Sequence, residues 1–73
     1  MENNLEKFAE RLKELRLEKN LSIQSLAKEV GIGSSSLCRW ENCQADIKSS
    51  QLVMLAKFFG VTTDYLLGLD EYY

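Results

Sequence analysis

Residues Ile23 to Asn42 read IQSLAKEVGIGSSSLCRWEN, and the spacing of their apolar side chains decides how the chain folds. Those side chains are Leu26, Val30, Ile32, Leu37 and Trp40, separated by four, two, five and three positions. No single helix fits that series. A period of about 3.6 residues holds up to Val30 and resumes at Leu37, so the phase resets at Gly31 and Ile32 and two helices meet there. Glycine reaches the positive φ that such a corner needs, small Ala27 on the inner face lets the backbones approach, and Ile32 fills the angle. The second helix, Ser34 to about Asn42, buries Leu37 and Trp40 and turns Ser34, Ser35, Cys38 and Arg39 outward.

That outward face is unusual for a structural helix. Three consecutive serines have mediocre helix propensity and no packing role, yet their hydroxyls can donate to or accept from base edges. The plainer alternative is a serine-rich helix start chosen for capping. Arg39 is the sharper candidate, because its planar fork binds guanine O6 and N7 together or grips a phosphate. Ser22 caps the first helix of the pair, and its hydroxyl and the free amides behind it attract phosphate.

On the N-terminal side, Asn3 and Glu6 read as a cap and its reciprocal glutamate, opening a helix that runs to about Lys19. Leu5, Phe8, Ala9, Leu12 and Leu15 form its apolar face. Glu10 with Lys13, and Arg11 with Glu14, read as exposed pairs on a solvated face. Asn20 is a left-handed stop. On the C-terminal side a loop from Cys43 to Ser49 leads to a fourth helix, capped by Ser49 or Ser50 and ending at Phe59. Leu52, Leu55, Ala56 and Phe59 form its inner face, with Val53 and Phe58 at the margins. Gly60 ends it, Thr62 caps a short fifth helix ending near Leu67, and Gly68 closes that one. Tyr65, Leu66, Leu67, Leu69 and Tyr72 are leftover apolar groups near the terminus and form a candidate self-association surface. A frayed end is the alternative.

Four motifs in this order, FAERLKELR, LAKEVGIG, RWEN and LAKFFGVTTDYLLG, span Phe8 to Gly68. In combination they resemble the lambda-repressor-like (Cro-type, XRE) family of bacterial and phage helix-turn-helix transcriptional regulators. The resemblance implies an all-α fold, a compact five-helix domain over 1–73 with the third helix in the DNA major groove. Carried over residue by residue, Ser34, Ser35 and Arg39 fall where the family reads bases, with Ser36 beside them. Ser22, Asn42 and the backbone amides around Cys43 and Gln44 fall where it grips phosphates. Arg16 and Glu41 match positions that pair in some relatives; independently, both are placed for partial burial.

Four positions depart from the family pattern. Ile23 replaces a phosphate-contacting Gln, leaving neighbouring Gln24 to reach. Gly33 replaces a Ser or Thr cap, Cys43 a frequent Gly, and Ile47 a common Pro. Cys43 therefore either leaves the helix differently or adopts a positive φ. Together the departures imply lighter DNA contact than is usual for the family.

Composition sets the remaining bounds. At 73 residues, 45% hydrophobic and 27% charged, the chain has ordinary globular composition for one small domain. No apolar run is long enough to span a bilayer, and MENNLEKF is too polar for a signal peptide, which implies the cytoplasm. There is no His, and Cys38 and Cys43 have neither zinc nor redox-pair spacing, so no metal or cofactor is expected and reduced thiols are the default. Without His, a metal cluster or a glycine-rich phosphate loop, nothing assembles a catalytic site. Nine Lys and Arg against eleven Asp and Glu give a net charge of −2, which argues mildly against nucleic acid. Within the motif, however, Lys28 and Arg39 balance Glu29 and Glu41, while Asp46, Asp64, Asp70 and Glu71 lie further on.

The leading expectation is a sequence-specific repressor that binds double-stranded DNA as a homodimer on an inverted repeat. A different class of function is a protein-interaction module, with an anti-repressor or toxin partner docked on the serine face or the tail. A third uses Cys38, whose oxidation would abolish DNA binding.

Overall fold

In the computed structural model, which describes residues 4–71, every helix runs into a residue in the left-handed region. The helices are α1 (Asn4–Glu18), α2 (Ile23–Val30), α3 (Ser34–Glu41), α4 (Ser49–Phe59) and α5 (Thr63–Leu66). The left-handed residues that follow them are Asn20 (φ 56°), Gly31 (70°), Cys43 (58°), Gly60 (71°) and Gly68 (79°). Such a residue folds the chain back, so that the next amide returns to an orphan carbonyl of the last turn. Leu21 N–H donates to the Arg16 carbonyl at 3.1 Å, Gln44 to Arg39 at 2.8 Å, Val61 to Ala56 at 3.0 Å and Leu69 to Asp64 at 2.8 Å. At the α2–α3 corner Gly31 and Ile32 both donate to the Ala27 carbonyl, at 2.9 and 3.3 Å. The chain thus reverses within two or three residues, and short helices can pack on one another.

Their common core contains Phe8, Leu12, Leu26, Leu37, Leu55 and Leu66, all fully buried, with Trp40 at its edge against the ring of Phe8. α1 lies across α3 and α5, and α4 closes the other side against α2 and α5. Burying a Leu or Phe of this kind contributes about 1.5–3 kcal/mol, so the apolar series read from the sequence is also the main source of stability. No helix among the described residues is long and apolar enough to cross a membrane.

The caps are as expected at three helices and different at a fourth. Ser22 Oγ accepts from the Ser25 amide and Thr62 Oγ1 from the Tyr65 amide, each at 3.0 Å. Gly33 starts α3 without a side-chain cap. At α4 the N-cap is Lys48, in extended backbone and without a side-chain cap, while Ser49 is already helical. Half-buried Ile47 packs against the core just before it, which draws the chain in and starts the helix one residue early. The Asn3 cap of α1 lies outside the described residues.

The C-terminal segment corrects two expectations. Tyr65 and Leu66 are 8% and 0% exposed and belong to the core, so they form no self-association surface. The reason is Arg11, which leaves the solvated face assigned to it. Its Nη1 donates to the carbonyls of Tyr65 at 3.0 Å and Asp70 at 3.1 Å, and its guanidinium lies 4.1 Å over the Tyr65 ring. A cation over an aromatic face adds about 0.5–1 kcal/mol to those hydrogen bonds. Gly68 fits beneath, where any side chain would overlap Lys7 Cβ. Of the surface proposed from sequence, Leu67 is half-buried, Leu69 is exposed, and Tyr72 lies outside the described residues.

Cys43 is the costliest of the left-handed residues, because a Cβ there crowds the following carbonyl. Cys43→Gly is expected to stabilise the fold by about 0.5–1 kcal/mol after glycine's own entropic cost, read as a rise of several degrees in the thermal midpoint. Cys43→Ala keeps the Cβ and should show no such gain; equal behaviour of the two variants would contradict the account.

Candidate nucleic-acid interface

The corner at Gly31 sets α2 and α3 so that the start of α2 and the outward side of α3 face one open groove of about 380 Å³. Ser22, Ile23, Gln24, Ser34, Ser35 and Cys38 line it. Two of the residues expected to hold phosphate, Ser22 and Gln24, are therefore brought beside two of those expected to read bases. Ser22 is partly committed, since its hydroxyl donates to Ser25 Oγ at 2.9 Å while accepting from the Ser25 amide. Ile23 is half-buried and packs against the core, so its apolar side chain serves as groove wall.

Ser34, Ser35, Cys38 and Arg39 are all exposed, whereas Ser36 is half-buried and so presents less of itself than its neighbours. The Arg39 guanidinium makes no hydrogen bond or ion pair to any described residue, which leaves its fork open. Cys38, read from the sequence as outward-facing with Ser34 and Ser35, lines the groove beside them. Its spacing from Ser34 and Ser35, four and three residues, was the available signal.

The far end of α3 differs from the expectation. The Cys43 amide donates to the Trp40 carbonyl at 3.3 Å and the Gln44 amide to that of Arg39 at 2.8 Å, so both close the helix and neither is free for a phosphate. Asn42 Nδ2 donates to the Cys38 carbonyl at 2.8 Å and reaches Cys38 Sγ at 3.4 Å. Asn42, Cys43 and Gln44 are all exposed, but the Cys43 thiol donates to the Leu5 carbonyl at 3.8 Å, so this end still offers the side chains of Asn42 and Gln44.

The aim of α3 is set from behind. Arg16 Nε donates to Glu41 Oε2 at 2.7 Å and Nη2 to Oε1 at 3.0 Å, a two-point pair, while Nη1 donates to the Leu21 carbonyl at 2.8 Å. Only 11% and 6% of the two side chains are exposed. The hydrogen bond to Glu41 raises the Arg16 pKa above its ordinary value, desolvation opposes this, and the charge of Glu41 adds to it. Arg16 therefore stays charged across the working pH range, and one side chain ties the end of α1, the approach to α2 and the end of α3.

With this geometry in view, the comparisons identify the class. Residues 9–70 match the model of the helix-turn-helix domain family, and the chain belongs to that family. It is 34% identical over 64 residues to the transcriptional activator BcrR of Enterococcus faecalis, covering 88% of this chain and 31% of BcrR. It is 30% identical over 64 residues to the cryptic phage CTXphi transcriptional repressor RstR of Vibrio cholerae, covering 88% of this chain and 58% of RstR. The chain thus spans between about a third and three-fifths of these relatives' length. Among solved structures, the restriction-modification controller protein C.AhdI from Aeromonas hydrophila superposes with a TM-score of 0.77 at 32% identity, over 85% of this chain and 94% of that one.

Removing one partner of a fully buried pair costs about 3–5 kcal/mol; this pair is part-buried, so water screens part of that penalty. Glu41→Gln is therefore expected to lower stability measurably but by less than that amount in chemical denaturation. A variant that unfolds at the parent's midpoint would show that the pair aims nothing.

Proposed function

We propose that the protein binds double-stranded DNA sequence-specifically as a homodimer on an inverted-repeat operator and acts as a repressor of phage or mobile-element type. The observation that carries this reading is the single groove in which Ser22 and Gln24 face Ser34 and Ser35, with Arg39, unpaired among the described residues, on the same helix. Ser34, Ser35 and Arg39 read base edges, with Ser36 supplementing them. Ser22, Gln24 and the side chains of Asn42 and Gln44 hold the backbone. Phosphate contacts position a protein on the duplex, and base contacts specify its sequence.

Dimerisation follows from the small number of these contacts and the net charge of −2. One copy neutralises few phosphates, so it binds weakly. Two copies with recognition helices about 34 Å apart occupy successive major grooves and double the contacts. Repression is the simplest outcome, because an occupied operator blocks polymerase without any further contact. No step requires a cofactor or catalysis, and the reading places the protein in the cytoplasm with its DNA.

The acidic balance favours a second reading, in which the same fold docks a protein partner such as an anti-repressor or toxin. A tight protein complex with little salt dependence, and no binding to any duplex, would mark that case.

Arg39→Ala separates reading from holding. It is expected to cost about 1–3 kcal/mol and to relax preference at one base pair per half-site, measured by titrating a panel of single-base-pair operator variants. Uniform weakening across the panel would make Arg39 a phosphate contact instead.

A further inference from the structure

The six residues that line the groove between α2 and α3 include no charged side chain. Hydroxyls and apolar groups share it. Those of Ser34 and Ser35 make no hydrogen bond to any described residue, so both are open to a ligand. In the same groove stand two apolar surfaces, the Ile23 side chain and the Cys38 sulfur. Ile23 is half-buried against the core, and it is the first residue of α2, directly after the Ser22 cap. A β-branched side chain in a helix has one strongly preferred rotamer, so the part of Ile23 that reaches the groove is a fixed wall. Asn42 Nδ2 donates to Cys38 Sγ at 3.4 Å, which engages the weak acceptor capacity of the sulfur and leaves a small hydrophobe.

The base edges of the major groove determine what such a surface can recognise. Thymine presents the O4 acceptor with a C5-methyl beside it, cytosine an amino donor without a methyl, and the purines no methyl at all. A serine hydroxyl donates or accepts, and so suits every one of these edges. The apolar wall suits one. A phosphate finds hydroxyl and amide groups at Ser22 and Gln24, but against Ile23 and Cys38 an anion would lose water and gain no cation. We infer that Ile23 is a specificity-determining residue: with Cys38 it seats the C5-methyl of a thymine whose O4 accepts from Ser34 or Ser35. The inference rests on the DNA-binding reading above and deepens it, because it gives Ile23 a role in base reading and names the base.

The test uses duplex DNA as its own probe. Selection from a random pool supplies a bound sequence, and each thymine in it is then replaced singly by deoxyuridine, which removes the C5-methyl and keeps every base-pairing atom. At one thymine in each half-site the replacement is expected to weaken binding about 3- to 5-fold, as the burial of one methyl group implies, with little change at the others. Ile23→Ala should weaken binding to the unmodified duplex by a similar factor and lose most of its sensitivity to that replacement. The two changes together should cost no more than either alone. Ile23→Val keeps the branched side chain against the core, and serves if the alanine variant does not fold; its sensitivity should fall part-way. A purely structural role for Ile23 would lower the active fraction of the variants and leave the deoxyuridine penalty unchanged. That result, or equal binding of thymine and deoxyuridine duplexes at every position, would overturn the inference and leave the DNA-binding reading standing. If folded protein selected no sequence, that reading would fall, and this inference with it.

Discussion

The two-point ion pair between Arg16 and Glu41 is the directional contact on which the placement of α3 depends. Three chain segments meet at that guanidinium: the end of α1, through Arg16 itself; the approach to α2, through the Leu21 carbonyl; and the end of α3, through Glu41. Apolar packing alone would leave α3 free to rotate by small amounts about its buried Leu37 and Trp40, because hydrophobic contact is not directional. The planar fork is directional, and at this degree of burial any misalignment leaves a charge without its partner. The net stabilisation from such a pair is modest. Its consequence is a fixed angle between α3 and the rest of the fold.

Much of this was legible in the sequence, for reasons that can be named. The phase reset at Gly31 and Ile32 gave the corner, and the apolar periodicity of α1 and α4 gave the faces that close on it. Ser22, Thr62, Asn20 and Gly60 are residue types whose local chemistry states their role, and the structure uses them accordingly. The Arg16–Glu41 pair was legible from the resemblance and from the placement of both residues at the edges of apolar faces.

What sequence reading missed involves contacts over long separations. Arg11 looked like half of an exposed pair one turn from Glu14, because local spacing is blind to Tyr65 and Asp70. With Arg11 unassigned, Tyr65 and Leu66 had no visible reason to be buried and were read as leftover surface. The hydrogen bond from Trp40 Nε1 to the Asp46 carbonyl and the engagement of the Cys43 and Gln44 amides are short-range by contrast, and were missed because both depend on where the loop turns after a left-handed cysteine. The start of α4 was misplaced by one residue because two serines in a row offered two equally good caps, and Ile47 favoured neither. Within the groove, Ser22, Gln24, Ser34 and Ser35 were found from sequence, and Cys38 was visible as outward-facing but not as a neighbour of Ser22.

Charge is the feature that least resembles an ordinary DNA-binding surface. The net balance of −2 gives little long-range attraction, so the proposed association depends on a few well-placed contacts and, in the proposed homodimer, on doubling them through symmetry. The most direct measurement is therefore a selection from a random pool of duplex DNA at near-physiological salt, using the intact protein. The account predicts enrichment of an inverted repeat whose half-sites are about one helical turn apart. Enrichment of no sequence by protein shown to be folded would contradict it.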